Sequence, residues 1–255
     1  MMERILAIWR GAAASTVELA ILDGRVERAV FTLGLADHAA GLTDAVLLLA
    51  RSDMTLQAVP LVRMTLECGV TAAWLAVTPG SGEAANADSA IAHARLEHAM
   101  EDLADPLGRP EREKARKAEK ARATAANRER GQTTVTPGIN GEAKLFEQRC
   151  AAIDGGEWFY PYYRFLSAYS HGGPALLEHY GRAIEATEDN PLGLEYDPQR
   201  TFEAAGIVLA VQAIALMTAV RAWDDIAPGH SIRAQLDEVA NDMGAVFELR
   251  RRAVS

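Results

Sequence analysis

The amino-acid sequence predicts an all-α protein, a bundle of packed helices, and three features of its composition favour that fold class. Alanine, the best helix former, accounts for 48 of the 255 residues. Aromatic residues make up only 6% of the chain, and the β-branched residues that favour strands are also sparse. Hydrophobic residues reach 49%, which is enough to bury a sizeable core in a chain of this length. No internal repeat is visible, so we expect one helical domain over residues 1–255.

Turn signals rich in Gly, Pro, Asn and Asp divide this domain into helices, because Gly and Pro do not continue a helix. Asp23-Gly24 ends the first helix, and residues 133–141 are expected to form a loop. The core is assigned to residues 25–186 and 199–252. Its predicted helices span about residues 25–52, 56–77, 83–105, 142–153, 175–186, 199–223 and 231–252. A further helix has Pro161 in its first turn and ends near Ser170, before Gly172-Gly173-Pro174.

Residues 109–130 lack an apolar face and are interpreted as a charged helical insertion into this core. They contain nine basic and four acidic residues, so the segment is +5 within a chain of −9. Such a local reversal of sign can attract a phosphate polymer, and the candidate RNA contacts are Arg112, Arg116, Lys117 and Lys120. The alternative is a solvated helix with opposite charges four residues apart, which serves only to keep the protein soluble.

The overall charge and the cysteines exclude other classes of protein. A charge of −9 argues against a protein that coats nucleic acid with its whole surface. The chain has only two cysteines, Cys68 and Cys150, which are too few for a disulfide scaffold and do not have metal-knuckle spacing. A reducing, cytoplasmic setting is therefore expected. Two apolar segments are candidate membrane spans. Residues 58–77 contain two charged residues, and residues 204–220 are short for a transmembrane helix. Both are therefore predicted to be core helices, and no membrane partner is expected.

Arg164, Ser167 and His171 form a polar stripe, because the spacing i, i+3 and i+7 places them on one helix face. An arginine provides a forked donor for a phosphate or carboxylate, and a histidine exchanges a proton near neutral pH. The other interpretation is structural: Arg164 pairs with an acidic residue, and His171 caps the helix carbonyls.

Arg63 and Glu67 are the only charges in twenty otherwise uncharged residues. They lie four residues apart in the less favourable order for an isolated helix, so helix propensity does not explain them. A buried ion pair is costly unless other groups satisfy it. The pair therefore indicates either a polar cluster shared with another helix or a pair that fixes helix register.

Two blocks of sequence, LVRMTLECGVTAAWL and YYRFLSAYSHGG, together resemble a bacterial family of uncharacterised all-helical proteins. That family shows an Arg-x3-Glu helix and a downstream Tyr-Arg-x2-Ser-x3-His signature. It is similar in turn to the HEPN superfamily (higher eukaryotes and prokaryotes nucleotide-binding), whose mark is Arg-x4–6-His. The resemblance covers residues 61–173.

The resemblance implies a HEPN-like helical bundle, usually a homodimer, whose paired motifs form a cleft that cuts RNA without a metal. His171 would be the general acid and base, Arg164 would stabilise the phosphorane charge, and Ser167 would orient either group. Arg63, Glu67 and Tyr163 would support them. Active members often carry a polar residue directly after the arginine, where this chain has Phe165. A toxin or defence role, with an antidote or partner protein, is a further implication.

Two alternatives remain beside this metal-independent ribonuclease. The first is a non-catalytic helical interaction protein whose Arg/His cluster is structural. The second is a metal-dependent enzyme, since His93 and Glu97, and likewise His98 and Asp102, lie four residues apart. The two histidines do not share a helix face, so we expect no metal site and no cofactor.

Overall fold

The computed structural model describes residues 1–14, 26–130, 137–197, 201–227, 231–244 and 248–253. Within these residues the prediction of an all-α protein is confirmed, because helices account for nearly all of the regular structure. In chain order the elements are α1 (Met2–Ala14), α2 (Val26–Arg51), α3 (Thr55–Val77), α4 (Ser81–Ala104), α5 (Arg109–Arg130), α6 (Pro137–Lys144), α7 (Phe146–Ala152), a 3-10 helix (Gly156–Trp158), α8 (Phe159–Ser170), α9 (Pro174–Tyr180), β1 (Gly181–Ala183), β2 (Leu194–Tyr196), α10 (Ala205–Ile226) and α11 (Arg233–Asp242).

The chain divides into two compact units. The first comprises Met1–Pro79 with Phe146–Ser255, and the second is Gly80–Leu145, which includes the charged segment. That a single domain spans residues 1–255 stays a prediction.

The core of the first unit is built around α3 and α10, with α1, α2 and α11 packed against them. Many of its buried side chains are alanines, which let helix axes approach closely. At Gly69 a Cβ atom would lie 2.5 Å from the backbone oxygen of Ala215, so the contact between α3 and α10 requires glycine. Trp9 and Trp223 close the core edge-to-face, with ring centroids 6.5 Å apart.

The second unit has little apolar interior. The buried residues of α4 are confined to its first turn, at Ser81, Gly82 and Ala84. Ion pairs between α4 and α5 supply most of the described side-chain contacts further along. The predicted loop over residues 133–141 is wrong from Pro137 onward, because α6 begins there with proline in its first turn. Residues 131–136 lie outside the described part.

Two predicted helices of the first unit end early. The helix expected over residues 175–186 stops at Tyr180, and Gly181–Ala183 pairs antiparallel with Leu194–Tyr196. Gly193, with φ of 57°, adopts the left-handed backbone that this hairpin needs. The helix expected over residues 231–252 stops at Asp242, because Gly244 has a φ of 68° and cannot continue it.

Candidate functional site

One face of α3 carries the polar side chains that the sequence singled out. Arg63 and Glu67 form an ion pair, with Nη2 3.1 Å from Oε1. The Arg63 side chain is 22% exposed and that of Glu67 is 41% exposed, so the pair lies at the edge of the core with access to solvent. Thr71 follows four residues later on the same face.

Helix α8 completes this site by placing Tyr163 and His171 against Arg63. Arg63 Nη2 donates a hydrogen bond to the Tyr163 hydroxyl at 2.8 Å, and Nη1 lies 3.1 Å from His171 Nε2. The guanidinium carbon is 4.8 Å from the centroid of the Tyr163 ring, which is cation–π distance. We refer to Arg63, Glu67, Tyr163 and His171 as the Arg63 cluster. It joins the two sequence blocks that were singled out.

The contact between Arg63 and His171 sets the tautomer of the imidazole. A guanidinium can only donate, so Nε2 of His171 must accept and the proton of the neutral ring must sit on Nδ1. His171 caps the C-terminus of α8, and its backbone N–H donates to the Ser167 carbonyl at 3.3 Å. The Arg63 cluster therefore includes an exposed imidazole at the C-terminal end of α8.

The predicted stripe of Arg164, Ser167 and His171 does not continue as a helical face. His171 has an extended backbone, with φ of −107° and ψ of 133°, so it leaves the helix before the spacing is complete. Ser167 Oγ donates to the Tyr163 carbonyl at 2.7 Å. The side chain of Arg164 is exposed, and no hydrogen bond or ion pair joins that side chain to another described residue. The arginine that contacts His171 is Arg63.

Two residues that the sequence analysis missed adjoin the Arg63 cluster. Arg149 Nη1 donates a hydrogen bond to Thr71 Oγ1 at 2.6 Å. Thr71 lies about 12 Å further along α3 than Arg63, by the rise of the helix. Phe146 packs on Tyr163 with ring centroids 4.4 Å apart. No spacing rule singles out either residue, because both come from the short helix α7 and reach the site only through tertiary packing.

Cys68 directly follows Glu67 but is not a nucleophile at neutral pH. Burial, together with the smaller effect of the Glu67 carboxylate, raises the pKa of its thiol to about 11. Burial likewise raises the pKa of Cys150 to about 12. Because the thiolate is the reactive form, neither cysteine supplies chemistry to the site.

The candidate RNA contacts on α5 are partly engaged within the second unit. Arg112 Nε lies 3.0 Å from Asp102, and Arg116 Nη1 lies 3.0 Å from the other oxygen of the same carboxylate. These bonds, that from Arg116 foremost, lower the pKa of Asp102. Lys117 is exposed, and the side chain of Lys120 lies outside the described residues. Contact of RNA with all four stays a prediction.

The proposed metal ligands of α4 are dispersed. His93 Nε2 lies 3.8 Å from Glu97, and both side chains are largely exposed. Asp102 is held by arginines, as described above. Within the described ranges, no group of three or more His, Cys, Asp or Glu side chains is arranged to hold a metal ion.

Two helices of the described chain are long and apolar enough to cross a membrane, by length and composition alone. They are α2 and α10, with 28% and 67% of the apolar window buried in the protein, respectively. The buried helix of a protein core passes the same test, as α10 illustrates. The expectation that the chain has no membrane partner stays a prediction.

Comparison with known proteins yields one family. A family model described as "Family of unknown function (DUF5677)" matches residues 30–190, a range that contains most of α2, all of α3 to α9 and thus every residue of the Arg63 cluster. No curated protein and no solved structure matches the chain significantly.

Proposed function

We propose a function from the geometry of the Arg63 cluster, since the chain belongs to DUF5677, a family of unknown function. The family model matches more than half of the chain. The protein binds RNA at this cluster and cleaves it by metal-independent acid/base chemistry. The observation that carries the proposal is the 3.1 Å approach of Arg63 Nη1 to His171 Nε2. A cationic forked donor and a neutral imidazole at a solvent-open edge are the two groups that phosphodiester transfer uses.

Arg63 has a donor to offer a phosphate. Nη1 carries two N–H groups, and one of them is taken by His171. Nη2 is occupied by Tyr163 and Glu67, which fix the guanidinium plane. A phosphate oxygen that approaches from solvent would meet the second N–H of Nη1 beside the imidazole. The arrangement supports one phosphate between Arg63 and His171.

The proposed reaction follows from the neutral tautomer of His171. Nε2 exchanges its hydrogen bond with Arg63 for one with a ribose 2′-hydroxyl and takes that proton. The 2′-oxygen then forms a bond to the adjacent phosphorus while the bond from phosphorus to the 5′-oxygen breaks. The imidazolium returns the proton to the departing 5′-oxygen, which leaves a 2′,3′-cyclic phosphate and a 5′-hydroxyl.

The HEPN-like resemblance assigns the phosphorane contact to Arg164, and the proposal keeps that residue as a second cation. Arg164 directly follows Tyr163 and is exposed, so its side chain can reach a phosphate from the solvent side. Ser167 positions the helix backbone through its bond to the Tyr163 carbonyl. Pairing of two copies around this cleft, a cytoplasmic setting and an antidote partner belong to the same proposal.

The test is incubation of the purified chain with mixed RNA in chelator. We expect cleavage products that end in 2′,3′-cyclic phosphate, and we expect His171→Ala to abolish them while the fold persists by circular dichroism. His38→Ala, an exposed histidine of α2, is the matched control and keeps full activity. Cleavage that survives both His171→Ala and Arg164→Ala contradicts the assignment.

One observation favours a second candidate, a non-catalytic interaction protein. The side chains of Glu67, Tyr163 and His171 already bind the guanidinium of Arg63. Contacts of this kind also serve a purely structural role, in which they hold α8 against α3. In that case Arg63→Ala lowers stability and no RNA is cut. Urea unfolding together with the cleavage assay separates the two functions.

A further inference from the structure

The hairpin of β1 and β2 has little cover on either face. Its strands pair antiparallel, and every residue in them except Gly181 is exposed. Leu194 is 57% exposed and Tyr196 is 70% exposed, and both lie on the same face of the strand pair. A two-stranded hairpin is marginally stable in water by itself, so an exposed apolar face of this kind is suited to a partner.

The hydrogen bonds of the hairpin show which backbone groups point outward. The N–H of Ile184 donates to the Gly193 carbonyl and the N–H of Asp197 donates to the Tyr180 carbonyl, both at 2.8 Å. Opposed residues of antiparallel strands alternate between hydrogen-bonded and non-hydrogen-bonded pairs. The residues whose N–H and C=O groups therefore point away from the partner strand are Gly181, Ala183, Leu194 and Tyr196.

One edge of the hairpin is closed and the other is open. On the β2 side, Asn190 Nδ2 donates to the Leu194 carbonyl at 2.8 Å, and its Oδ1 accepts from the N–H of Leu194 at 3.4 Å. On the β1 side, the N–H of Gly181 donates to the Leu177 carbonyl of α9. No described residue bonds the outward N–H and C=O of Ala183. We refer to this side of β1 as the open edge, because an unprotected strand edge is a template for a further strand.

The charge of the hairpin determines the sign of a partner. Residues 181–197 contain five acidic residues and one basic residue, a net charge of −4. Arg182 Nε lies 3.0 Å from Glu195, so this pair is compensated, and Asp197 also has a partner. The exposed acidic residues of the tip that form no ion pair with any described residue are Glu185, Glu188 and Asp189. These carboxylates favour a basic partner.

We propose that the hairpin binds an extended, basic segment of another protein, which adds to the open edge as a third strand. Main-chain hydrogen bonds to Ala183 and to the Gly181 carbonyl set the register of this strand. Its alternate apolar side chains extend the face of Leu194 and Tyr196, and lysine or arginine between them meets the carboxylates of the tip. No residue of the Arg63 cluster belongs to the hairpin, so this binding does not depend on RNA cleavage.

Fluorescence anisotropy of a labelled heptapeptide of alternating lysine and valine tests the proposal. We expect this peptide to bind at low salt with a Kd below about 1 mM. The same peptide with N-methylated valines keeps its charge but loses the N–H groups that face the open edge, so we expect it to bind about tenfold more weakly. A heptapeptide of alternating glutamate and valine is expected not to bind.

Variants of the chain locate the binding. Ala183→Pro removes the outward N–H without the loss of a bond between β1 and β2, and proline is tolerated on a strand edge of this kind. We expect it to weaken binding of the lysine peptide by about fivefold. Glu188→Gln weakens binding by up to about fivefold, whereas Glu27→Gln, an exposed carboxylate of α2, leaves it unchanged.

The proposal is wrong if the wild-type chain does not bind the lysine peptide, or if the N-methylated or the glutamate peptide binds equally well. Equal effects of Glu188→Gln and Glu27→Gln would also contradict it. A wild-type dimer in sedimentation that Ala183→Pro dissociates would show that a second copy occupies the open edge instead. The N-methylated peptide is tested on the wild-type chain, so the comparison holds even if Ala183→Pro disrupts the hairpin.

Discussion

At the scale of single residues, Arg63 is the centre of the candidate site. Its guanidinium contacts a carboxylate, a phenol and an imidazole, which come from two helices that are distant in sequence. A charge at this depth persists because these partners compensate it. Removal of one partner therefore has a measurable cost in stability, and the cost of each contact can be determined separately.

Tyr163→Phe removes the hydroxyl that accepts from Arg63 Nη2 at 2.8 Å. We expect the free energy of unfolding to fall by about 0.5–1.5 kcal/mol, the net value of one such hydrogen bond, while the cation–π contact persists. Urea unfolding measures this change. Tyr162→Phe is the control, because the Tyr162 side chain is exposed and its hydroxyl makes no hydrogen bond to the described residues. Equal stability of the two variants would mean that the bond to Arg63 contributes nothing.

The residues of this site were only partly predictable from sequence. Arg63 and Glu67 stand out as the sole charges in an apolar helix, and Tyr163 and His171 lie in the second sequence block. Their juxtaposition spans 108 positions and depends on how α8 packs on α3, which helical periodicity does not determine. Helical periodicity also placed His171 on the same helix face as Arg164 and Ser167, although the backbone at His171 is extended and no longer helical.

At the scale of elements, the contact of α3 with α10 determines how closely the core can pack. Gly69 allows the backbone of α10 to approach α3, at the cost of a glycine within a helix. Helix propensity alone treats this residue as unfavourable, so its role becomes evident only from the packing. The hairpin of β1 and β2 could likewise not be predicted from local propensity, because each strand has only three residues and pairs with a strand that is not adjacent in sequence.

Gly69→Ala and Gly41→Ala are expected to change stability in opposite directions. A Cβ at Gly69 would collide with the Ala215 carbonyl, so we expect a loss of about 1–3 kcal/mol. A Cβ at Gly41 on α2 meets nothing within 4 Å, so alanine there stabilises by up to about 1 kcal/mol. Thermal and urea unfolding of the two variants measure both effects. Destabilisation by Gly41→Ala, or none by Gly69→Ala, would contradict the described packing.

The pairing of α4 with α5 is expected to depend on pH. Hydrogen bonds from arginines lower the pKa of Asp102, and those of Arg112 lower the pKa of Asp105. A lowered carboxyl pKa stabilises the fold above the ordinary value of about 3.9, and this contribution is lost as pH falls through the folded value. Asp102→Asn should therefore reduce stability at pH 7 and have little effect near pH 2. An equal effect at both pH values would show that charge is not responsible.

At the scale of the whole molecule, charge is distributed unevenly between the two units. Residues 80–145 contain eleven basic and eleven acidic residues, so the +5 of α5 is cancelled within its own unit, and the remaining chain carries −9. The composition therefore excludes a broad polyanion-binding surface but leaves room for a local one. RNA bound at the Arg63 cluster would contact few phosphates, and its affinity would depend only weakly on salt.

Binding of a short, non-cleavable 2′-deoxy-substituted RNA, followed by fluorescence anisotropy, tests the central claim most directly, because it does not require catalysis. We predict that Arg63→Ala and His171→Ala each weaken binding about tenfold or more, whereas His38→Ala binds like the wild type. Equal affinity of all four proteins, or no binding by the wild-type chain, would contradict the claim that the Arg63 cluster is a phosphate site.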